Sequence, residues 1–310
     1  MNKRLFPIII FIIFILLTIF AFINATKALV DDIVNTLYLW LYYVYPSIFI
    51  FYIVANCLLH FNIIKYLSVI FRPFIKFESK KSYDILFISV FVGNPTTAAL
   101  ISQELNSKNI SLNDSYKLLK GAAFFNPLFI ISMITISRIN NITYAYLIIV
   151  SIFITNIIYL INLKTAKTKF SFNNNDLINF SPEIIVTSIS NVMSILINVA
   201  GIMVFCSIFK FSLSYIFEMN GFNNIYSVIL LSTIEVTAGI DMLIKLNLDL
   251  PLTLSIITSL LIFQGISVNF QVYNMIKKDR IKYSPILISR LFQIVFAFIL
   301  THLLFLIFIN

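Results

Sequence analysis

The chain has 310 residues, of which 60% are hydrophobic and 11% are charged, and its mean hydropathy is +0.96. This composition excludes a soluble domain and predicts an all-α protein that crosses a membrane several times. The net charge of +9 would suit a nucleic-acid partner, but the basic residues lie between apolar segments, as membrane topology requires. We therefore predict membrane lipid as a partner, and no nucleic acid.

Nine apolar segments follow one another along the chain. They lie at residues 5–24, 41–59, 85–107, 118–137, 142–163, 184–217, 225–246, 252–274 and 284–309. Their hydropathy predicts membrane helices, some of them broken. The first segment, with 20 residues, is long for a signal peptide, so we predict an uncleaved helix. The polar stretch 27–40 is expected to lie along the outer interface.

The basic residues divide unequally between the two sides of the predicted membrane. If segments 85–107 and 225–246 each enter and leave on one side, then 17 of the 22 basic residues share a side. These are Lys3, Arg4, Lys65, Arg72, Lys76, Lys80, Lys81, Lys108, Lys117, Lys120, Lys164, Lys167, Lys169, Lys277, Lys278, Arg280 and Lys282. The positive-inside rule then predicts a cytoplasmic amino terminus and an outside carboxyl terminus.

The segment at 85–107 is interrupted soon after it begins. Its apolar arm, residues 85–92, would rise roughly 12 Å, less than half of a hydrocarbon core roughly 30 Å thick. The Gly93-Asn94-Pro95 break leaves backbone groups that are tolerated at membrane depth only inside protein or beside a wet cavity. At the helix start that follows, Asn94, Thr96 and Thr97 are candidates for binding an anionic group, for capping the helix, or for both.

Three further segments are interrupted by polar residues or by Gly and Pro. Segment 118–137 contains Asn126-Pro127, which we expect to kink its helix because proline removes one hydrogen bond of the ladder. Segment 225–246 breaks at residues 235–239, and segment 252–274 breaks at Gln264-Gly265. Each break is a candidate wall of a cavity.

The order of elements is the same in the two halves of the chain. Each half has a helix, a broken pair of short arms, an interrupted helix and an uninterrupted helix. The charge distribution gives the two broken pairs opposite entry sides, which predicts an inverted repeat with a binding site near the bilayer midplane. The predicted organisation is an N-terminal helix and interfacial segment (1–40), repeat 1 (41–163), a polar cytoplasmic linker (164–183) and repeat 2 (184–310). The alternative is a long helical bundle with isolated polar positions.

Glu235 and Arg290 are the charged residues inside apolar segments that we single out as candidate functional groups. A carboxylate near the bilayer centre costs about 2.5–3.5 kcal/mol, so Glu235 must be protonated, paired or facing water. It is a candidate solute ligand or coupling group beside Thr237 and Gly239, or half of a structural ion pair with Arg290. Arg290 is either a snorkelling charge near a helix end or a guanidinium that grips a solute carboxylate.

The predicted site combines these positions with a polar patch in segment 252–274. Ser267 and Gln271 share one helical face, as do Gly265 and Asn269, so the patch either lines a pathway or holds helices together. The predicted solute-binding residues are Asn94, Thr96, Thr97, Asn126, Glu235, Thr237, Gln264, Ser267, Asn269, Gln271 and Arg290, and the predicted helix breaks are at Gly93, Pro95, Pro127, Gly239 and Gly265. The sequence has no nucleophile–base pair, no His–carboxylate metal set and no nucleotide motif, so we expect no enzyme, no cofactor and no metal site.

Several motifs resemble those of the YlbJ-like sporulation integral membrane proteins, of the nucleoside-recognition (gate) superfamily. The matching stretches are GNPTTAAL (93–100), EL (104–105), KLL (117–119), NPLFII (126–131), EVTAG (235–239), GISVNFQV (265–272), YSP (283–285) and SRL (289–291). They are in the family's order and extend over roughly residues 40 to 305. The sequence departs from the family pattern at Asn94, Ala238 and Asn269, where Tyr, Asn and His are usual, and the family's lysine after the first motif is absent.

The resemblance implies a fold similar to that of concentrative nucleoside transporters, with paired re-entrant helical hairpins. It also implies a role in sporulation, moving dipicolinic acid from the mother cell across the outer forespore membrane. Arg290 and the helix start at 94–97 would then hold the dicarboxylate, and a neutral Glu235 would donate to it or carry a coupled proton.

Three functions are therefore compared. The first is a transporter of a small organic anion, with dipicolinate as the leading solute. The second is a transporter of a nucleoside or another small solute, in which Glu235 binds ribose hydroxyls. The third is a non-transporting membrane factor needed for spore development. A second copy of the chain is a further partner that the sequence leaves open.

Overall fold

The computed structural model describes residues 5–61, 63–136, 139–164, 182–222 and 224–309. All regular elements in these residues are helical. The helices are α1 (Leu5–Leu39), α2 (Tyr45–His60), α3 (Ile64–Leu67), α4 (Lys80–Val92), α5 (Thr96–Asn106), α6 (Leu112–Gly121), α7 (Pro127–Ile136), α8 (Ile142–Asn162), α9 (Pro182–Met219), α10 (Ile225–Ile234), α11 (Val236–Lys245), α12 (Leu250–Phe263), α13 (Gly265–Ile276) and α14 (Ser284–Phe308).

Several helices are long and apolar enough to cross a membrane. Five such spans occur in the described residues: Phe11–His60, Ile142–Asn162, Glu183–Met219, Leu250–Ile276 and Ser284–Phe308. Many large apolar side chains on these helices are exposed, including Ile197 on α9 and Phe292 on α14. An all-helical chain with lipid-facing helices of this kind is a multi-pass membrane protein, as the composition predicted.

The first helix is longer than the sequence predicted. α1 passes through one non-helical residue, Ala25, and continues to Leu39. Residues 27–40 are therefore not a separate segment, because this part of α1 packs against α9. Asp32 forms an ion pair of 2.9 Å with Lys210, and Thr36 donates a 2.7 Å hydrogen bond to Ser207. The prediction missed this because both partners lie on a distant helix.

The first half contains two pairs of short helices. α4 and α5 are separated at residues 93–95, as predicted, although α4 begins at Lys80 and so is longer than expected. α6 and α7 are separated by the non-helical residues 122–126. The segment is thus interrupted at Asn126-Pro127, as predicted, but by a full break and not by a kink, since Pro127 begins a new helix. Proline suits the first helical turn because the N–H it lacks would have no partner there.

The second half also contains two pairs of short helices. Glu235 is the single non-helical residue between α10 and α11, so the predicted break at 235–239 is too long and Gly239 is not a break. Between α12 and α13, Gln264 adopts the left-handed conformation with φ +69°, and Gly265 has φ +55°. The break at Gln264-Gly265 is thus confirmed.

Long helices surround the short ones. α9 packs on α1 and α2, whereas α14 packs on α12 and α8. The largest cluster of buried apolar residues extends from α2 through the short helices to α14. Two of the basic residues used for the topology prediction, Lys3 and Arg4, lie outside the described part of the chain, as does most of the predicted linker, residues 165–181.

Candidate functional site

A buried cavity lies where the short helices of the two halves meet. The space in it that the centre of a water molecule can reach is about 30 Å³, enough for about two water molecules. Seven of the predicted site residues line it: Asn94, Pro95, Asn126, Glu235, Thr237, Ser267 and Gln271. They come from four different helix pairs, so the fold brings together positions that the sequence separates widely.

The break after α4 packs directly against the break after α6. Gly93 has φ +64°, and a Cβ added to it would lie 2.7 Å from the carbonyl carbon of Phe125. The Asn94 N–H donates a 2.8 Å hydrogen bond to the Phe124 carbonyl. Only glycine permits both this backbone conformation and this close approach. The non-helical backbone is thereby buried in protein, as membrane depth requires.

Asn94 also connects the two halves of the chain. Its Nδ2 donates a 3.1 Å hydrogen bond to Oε1 of Gln264, while its Oδ1 has no hydrogen-bond partner among the described residues. The residue at the N-cap of α5 is Pro95, which makes no side-chain capping bond. The predicted capping by Asn94 and Thr96 is therefore wrong, and the Asn94 amide remains as a polar group of the cavity wall.

Asn126 immediately precedes α7 and lines the cavity. Its Oδ1 accepts a 2.8 Å hydrogen bond from the Leu128 N–H, and its Nδ2 donates to the Ser47 carbonyl at 3.3 Å. An asparagine at the start of a helix satisfies N–H groups that have no partner within the helix. This capping role leaves little of the Asn126 amide for a solute.

Glu235 is the acidic residue of the cavity lining. It is 1% exposed and caps α11, because its carboxylate accepts from the N–H groups of Thr237 at 3.2 Å and Ala238 at 2.6 Å. The N-terminal end of a helix stabilises a nearby negative charge. The carboxylate thus has main-chain partners on one side and the cavity on the other.

The polar patch on α13 divides into two faces. Ser267 and Gln271 line the cavity, and Ser267 Oγ has no hydrogen-bond partner among the described residues. Asn269 does not line it, because its Nδ2 donates to the carbonyls of Phe263 and Gly265 and its Oδ1 accepts from the Tyr283 hydroxyl at 2.7 Å. Asn269 therefore closes the break between α12 and α13, and the structure assigns it a structural role.

Arg290 lies away from the cavity and does not pair with Glu235. It is 1% exposed, and its guanidinium donates to the carbonyls of Leu119 at 2.7 Å and Lys120 at 3.0 Å and to Gln293 at 3.1 Å. These carbonyls are in the last turn of α6, where a positive charge is favourable. The snorkelling interpretation is excluded by this burial, and the ion pair with Glu235 is wrong.

The remaining predicted residues are buried near the cavity without lining it. Thr97 donates a 2.9 Å hydrogen bond to the Gly93 carbonyl, and Thr96 and Gln264 are fully buried beside the two breaks. Gly239 lies inside α11, where a Cβ would lie 2.5 Å from Ser232 Cβ. Gly239 is thus required for the close packing of α10 on α11.

Part of the cavity wall was not predicted. Ser47 and Ile48 of α2 and Val199 and Met203 of α9 line it, together with Phe125 and other apolar residues. The α9 residues are one turn apart, but this spacing occurs on every face of an apolar helix. Only Pro46-Ser47 was a local signal, since proline and a small polar residue interrupt an apolar run there.

A larger polar cavity adjoins the site at the end of the molecule formed by α1, α9 and α11. It encloses about 1430 Å³, including open space, and Asp32, Lys210, Ala238 and Asp241 are among its lining residues. Ala238 lines this cavity, whereas its neighbour Thr237 lines the inner one. The first turn of α11 therefore separates the two cavities.

The chemistry of the inner cavity is that of amides, hydroxyls and one carboxylate on an apolar wall. Among the described residues, its lining contains no lysine, arginine or histidine. Asn94 Oδ1 and Ser267 Oγ are polar atoms without a partner, so they are suited to hydrogen bonds with a polar guest. The arrangement thus offers several hydrogen-bonding groups on an otherwise apolar wall.

Comparison with known proteins identifies one distant relative. The chain is 22% identical, over 312 residues, to the sporulation integral membrane protein YlbJ of Bacillus subtilis (strain 168), and the alignment covers 86% of this chain and 75% of the relative. No family model matches the chain, and no solved structure matches it significantly. The likeness to YlbJ agrees with the resemblance of the motifs, whereas membership of the nucleoside-recognition superfamily stays a prediction.

Proposed function

We propose that this protein is a membrane carrier, not an enzyme, and that it moves a small organic solute during sporulation. One observation carries the proposal: interrupted helices from the two halves of the chain are joined by the Asn94–Gln264 hydrogen bond. They meet beside a cavity that Glu235 lines. Interrupted helices that meet around a buried polar cavity are typical of solute carriers.

The contacts at the two ends of the molecule support an inverted repeat of re-entrant hairpins. Asn106, at the end of α5, donates a 3.0 Å hydrogen bond to Asp279, just beyond α13. Lys245, at the end of α11, instead lines the larger cavity with Asp32 of α1 and Lys210 of α9. The open ends of the two broken pairs therefore have different neighbours, which supports an inverted arrangement.

The role in sporulation rests on the relative and on the motifs. YlbJ is by name a sporulation integral membrane protein, and the chain has that likeness over most of its length. We place this protein in the outer forespore membrane, with its amino terminus in the cytoplasm on the basis of its charge distribution.

Dipicolinate is the first candidate solute, but the site would hold it differently from our expectation. Arg290 is occupied by the end of α6, so the dicarboxylate would have to bind through Asn94, Ser267 and Gln271, with a protonated Glu235 as a donor. A carboxylate without a cation in the cavity lining also favours a neutral solute, and a nucleoside whose ribose hydroxyls bind Glu235 is the second candidate.

The test is uptake of labelled dipicolinate and labelled uridine into vesicles that contain the purified protein. The cavity variants are Glu235→Gln and Ser267→Ala. The control is Ser212→Ala, because Ser212 is a buried serine on α9 whose hydroxyl bonds to the Ile208 carbonyl, outside the cavity. We expect saturable uptake of one solute, at least roughly tenfold reduced by Glu235→Gln and unchanged by Ser212→Ala.

The two solutes give different outcomes. Dipicolinate uptake that uridine does not inhibit supports the anion, and the reverse supports the nucleoside. A third outcome would overturn the proposal that the protein is a carrier. In that outcome neither solute is taken up under a proton or a sodium gradient, and a Glu235→Gln strain forms spores normally. The remaining function would then be that of a non-transporting membrane factor.

A further inference from the structure

A concave surface at one end of α6, α8 and α14 has a strongly basic lining. We call it the basic pocket and define it by Tyr116, Lys117, Lys120, Leu163, Lys164 and Pro285. It encloses about 770 Å³, including open space, and of the described residues three lysines but no carboxylate line it. A cleft lined by charges of one sign attracts a ligand of the opposite charge.

The acidic groups nearest the basic pocket are bound to other groups. Asp114 is fully buried, and its carboxylate accepts from the N–H groups of Glu78 and Ser79 at 3.0 and 2.9 Å and from the Ser82 hydroxyl at 2.6 Å. These bonds hold it on the side of α6 that faces residues 78–82. The Glu78 carboxylate accepts a 3.2 Å hydrogen bond from Asn113.

The three lysines of the basic pocket differ in their partners. Lys117 donates to the carbonyls of Leu163 at 2.7 Å and Lys76 at 3.0 Å, so it stabilises the fold. Burial lowers the pKa of Lys117, and the Asp114 carboxylate opposes this change. Lys120 lies over the Tyr116 ring at 5.9 Å and forms no ion pair within the described residues, and the same holds for Lys164. Lys120 and Lys164 are therefore the suitable ligands.

The position of the basic pocket indicates where its ligand comes from. Leu163 and Lys164 follow the end of α8, and Pro285 is at the start of α14, so the pocket lies where two membrane spans end. Less than two turns further into these spans, Ile161 and Ile288 are 46% and 55% exposed. An acyl chain would cover such side chains while a charged headgroup reached the lysines.

We propose that the basic pocket binds the phosphate of an anionic phospholipid headgroup through Lys120 and Lys164. Each lysine near a membrane surface raises the affinity for an anionic lipid about 5-fold. The headgroup bridges α6 to the ends of α8 and α14. The site is independent of the proposed transport, because it lies outside the inner cavity.

The experiment titrates the purified protein in neutral detergent with short-chain phosphatidylglycerol and counts bound lipid by native mass spectrometry. Phosphatidylcholine of the same chain length is the neutral lipid control. The variant is Lys120→Gln with Lys164→Gln, which leaves the structural Lys117 intact. The matched control is Lys277→Gln with Lys278→Gln, because these two exposed lysines follow α13 and do not line the pocket. Thermal unfolding by circular dichroism verifies that both variants fold.

We expect the wild-type protein to prefer phosphatidylglycerol and the Lys120/Lys164 variant to bind it roughly 25-fold more weakly. The control variant should stay within about twofold of wild type. Equal weakening in both variants, or unchanged binding in the pocket variant, would overturn the site. Displacement of the lipid by low millimolar inorganic phosphate would also overturn it, since the ligand would then be a soluble anion.

Discussion

The Nδ2 of Asn94 and the Oε1 of Gln264 form a 3.1 Å hydrogen bond between residues that are 170 positions apart in the chain. Both residues are at helix breaks, and both are buried. Their bond connects the α4–α5 break of the first half to the α12–α13 break of the second. Because Asn94 also lines the inner cavity, the two halves are hydrogen-bonded to each other at the cavity wall.

This bond should contribute measurably to stability. In a double-mutant cycle of Asn94→Ala and Gln264→Ala, we expect a coupling of about 1 kcal/mol in the free energy of unfolding, measured by SDS titration in detergent. The exposed pair Asn106–Asp279, which has a 3.0 Å bond, is the control and should couple by less than about 0.5 kcal/mol. Equal coupling in both pairs would contradict a special role of the buried bond.

Gly93 should not tolerate a side chain. Gly93→Ala places a methyl group 2.7 Å from the Phe125 carbonyl carbon at φ +64°, so we expect a loss of at least about 2 kcal/mol in the free energy of unfolding. The control is Gly201→Ala on α9, where a Cβ meets nothing within 4 Å and alanine should stabilise the helix slightly. A Gly93→Ala protein as stable as wild type would show that the two breaks do not pack as described.

Two substitutions of Glu235 should differ in their effect on stability but not in their effect on transport. Glu235→Ala removes both capping bonds of α11 and should cost about 1–2 kcal/mol, whereas Glu235→Gln keeps an acceptor and should cost less. Both changes should abolish uptake in vesicles. Asn224→Ala, which removes the capping box of α10 away from the inner cavity, should lower the melting temperature without loss of uptake. If Asn224→Ala stopped uptake as completely, the Glu235 effect would be one of folding alone.

Arg290 should act on stability independently of Glu235. Arg290→Gln removes the guanidinium that binds the last carbonyls of α6, and we expect a loss of at least about 2 kcal/mol. Because the two side chains do not pair, the Arg290→Gln and Glu235→Gln effects should add within about 0.5 kcal/mol in SDS titrations. A coupling above about 1 kcal/mol would instead indicate the ion pair.

The ion pair that the sequence did not predict should also be measurable. Lys210 and Asp32 are 2.9 Å apart, with side chains 6% and 23% exposed. Asp32→Asn leaves a buried ammonium without its counter-charge, and we expect a coupling of about 1–3 kcal/mol between the two positions. Lys245 and Asp241 form an exposed pair one turn apart at 2.5 Å, and their coupling should be below about 0.5 kcal/mol. If the two couplings were the same size, the Lys210–Asp32 pair would not anchor α1 to α9.

The sequence by itself determined the class of protein and the positions of most helix breaks. Hydropathy is a local property, so the membrane helices α8, α9 and α14 could be predicted with nearly the observed ends. Glycine permits backbone conformations that other residues avoid, and proline cannot continue a helix ladder, so the breaks at Gly93-Asn94-Pro95 and Gln264-Gly265 could be predicted from the sequence. Seven of the predicted site residues line one cavity because breaks at membrane depth must face protein or a wet space.

Only the tertiary structure decided which polar groups face the cavity and which hold the fold together. Asn269 and Gln271 look equivalent on one short helix, yet one closes a break and the other lines the cavity. Arg290 binds α6 carbonyls, and Asp32 binds Lys210, partners that depend on the rotation and packing of helices distant in the chain. A buried charge takes whichever partner the packing offers, and sequence spacing does not encode that choice.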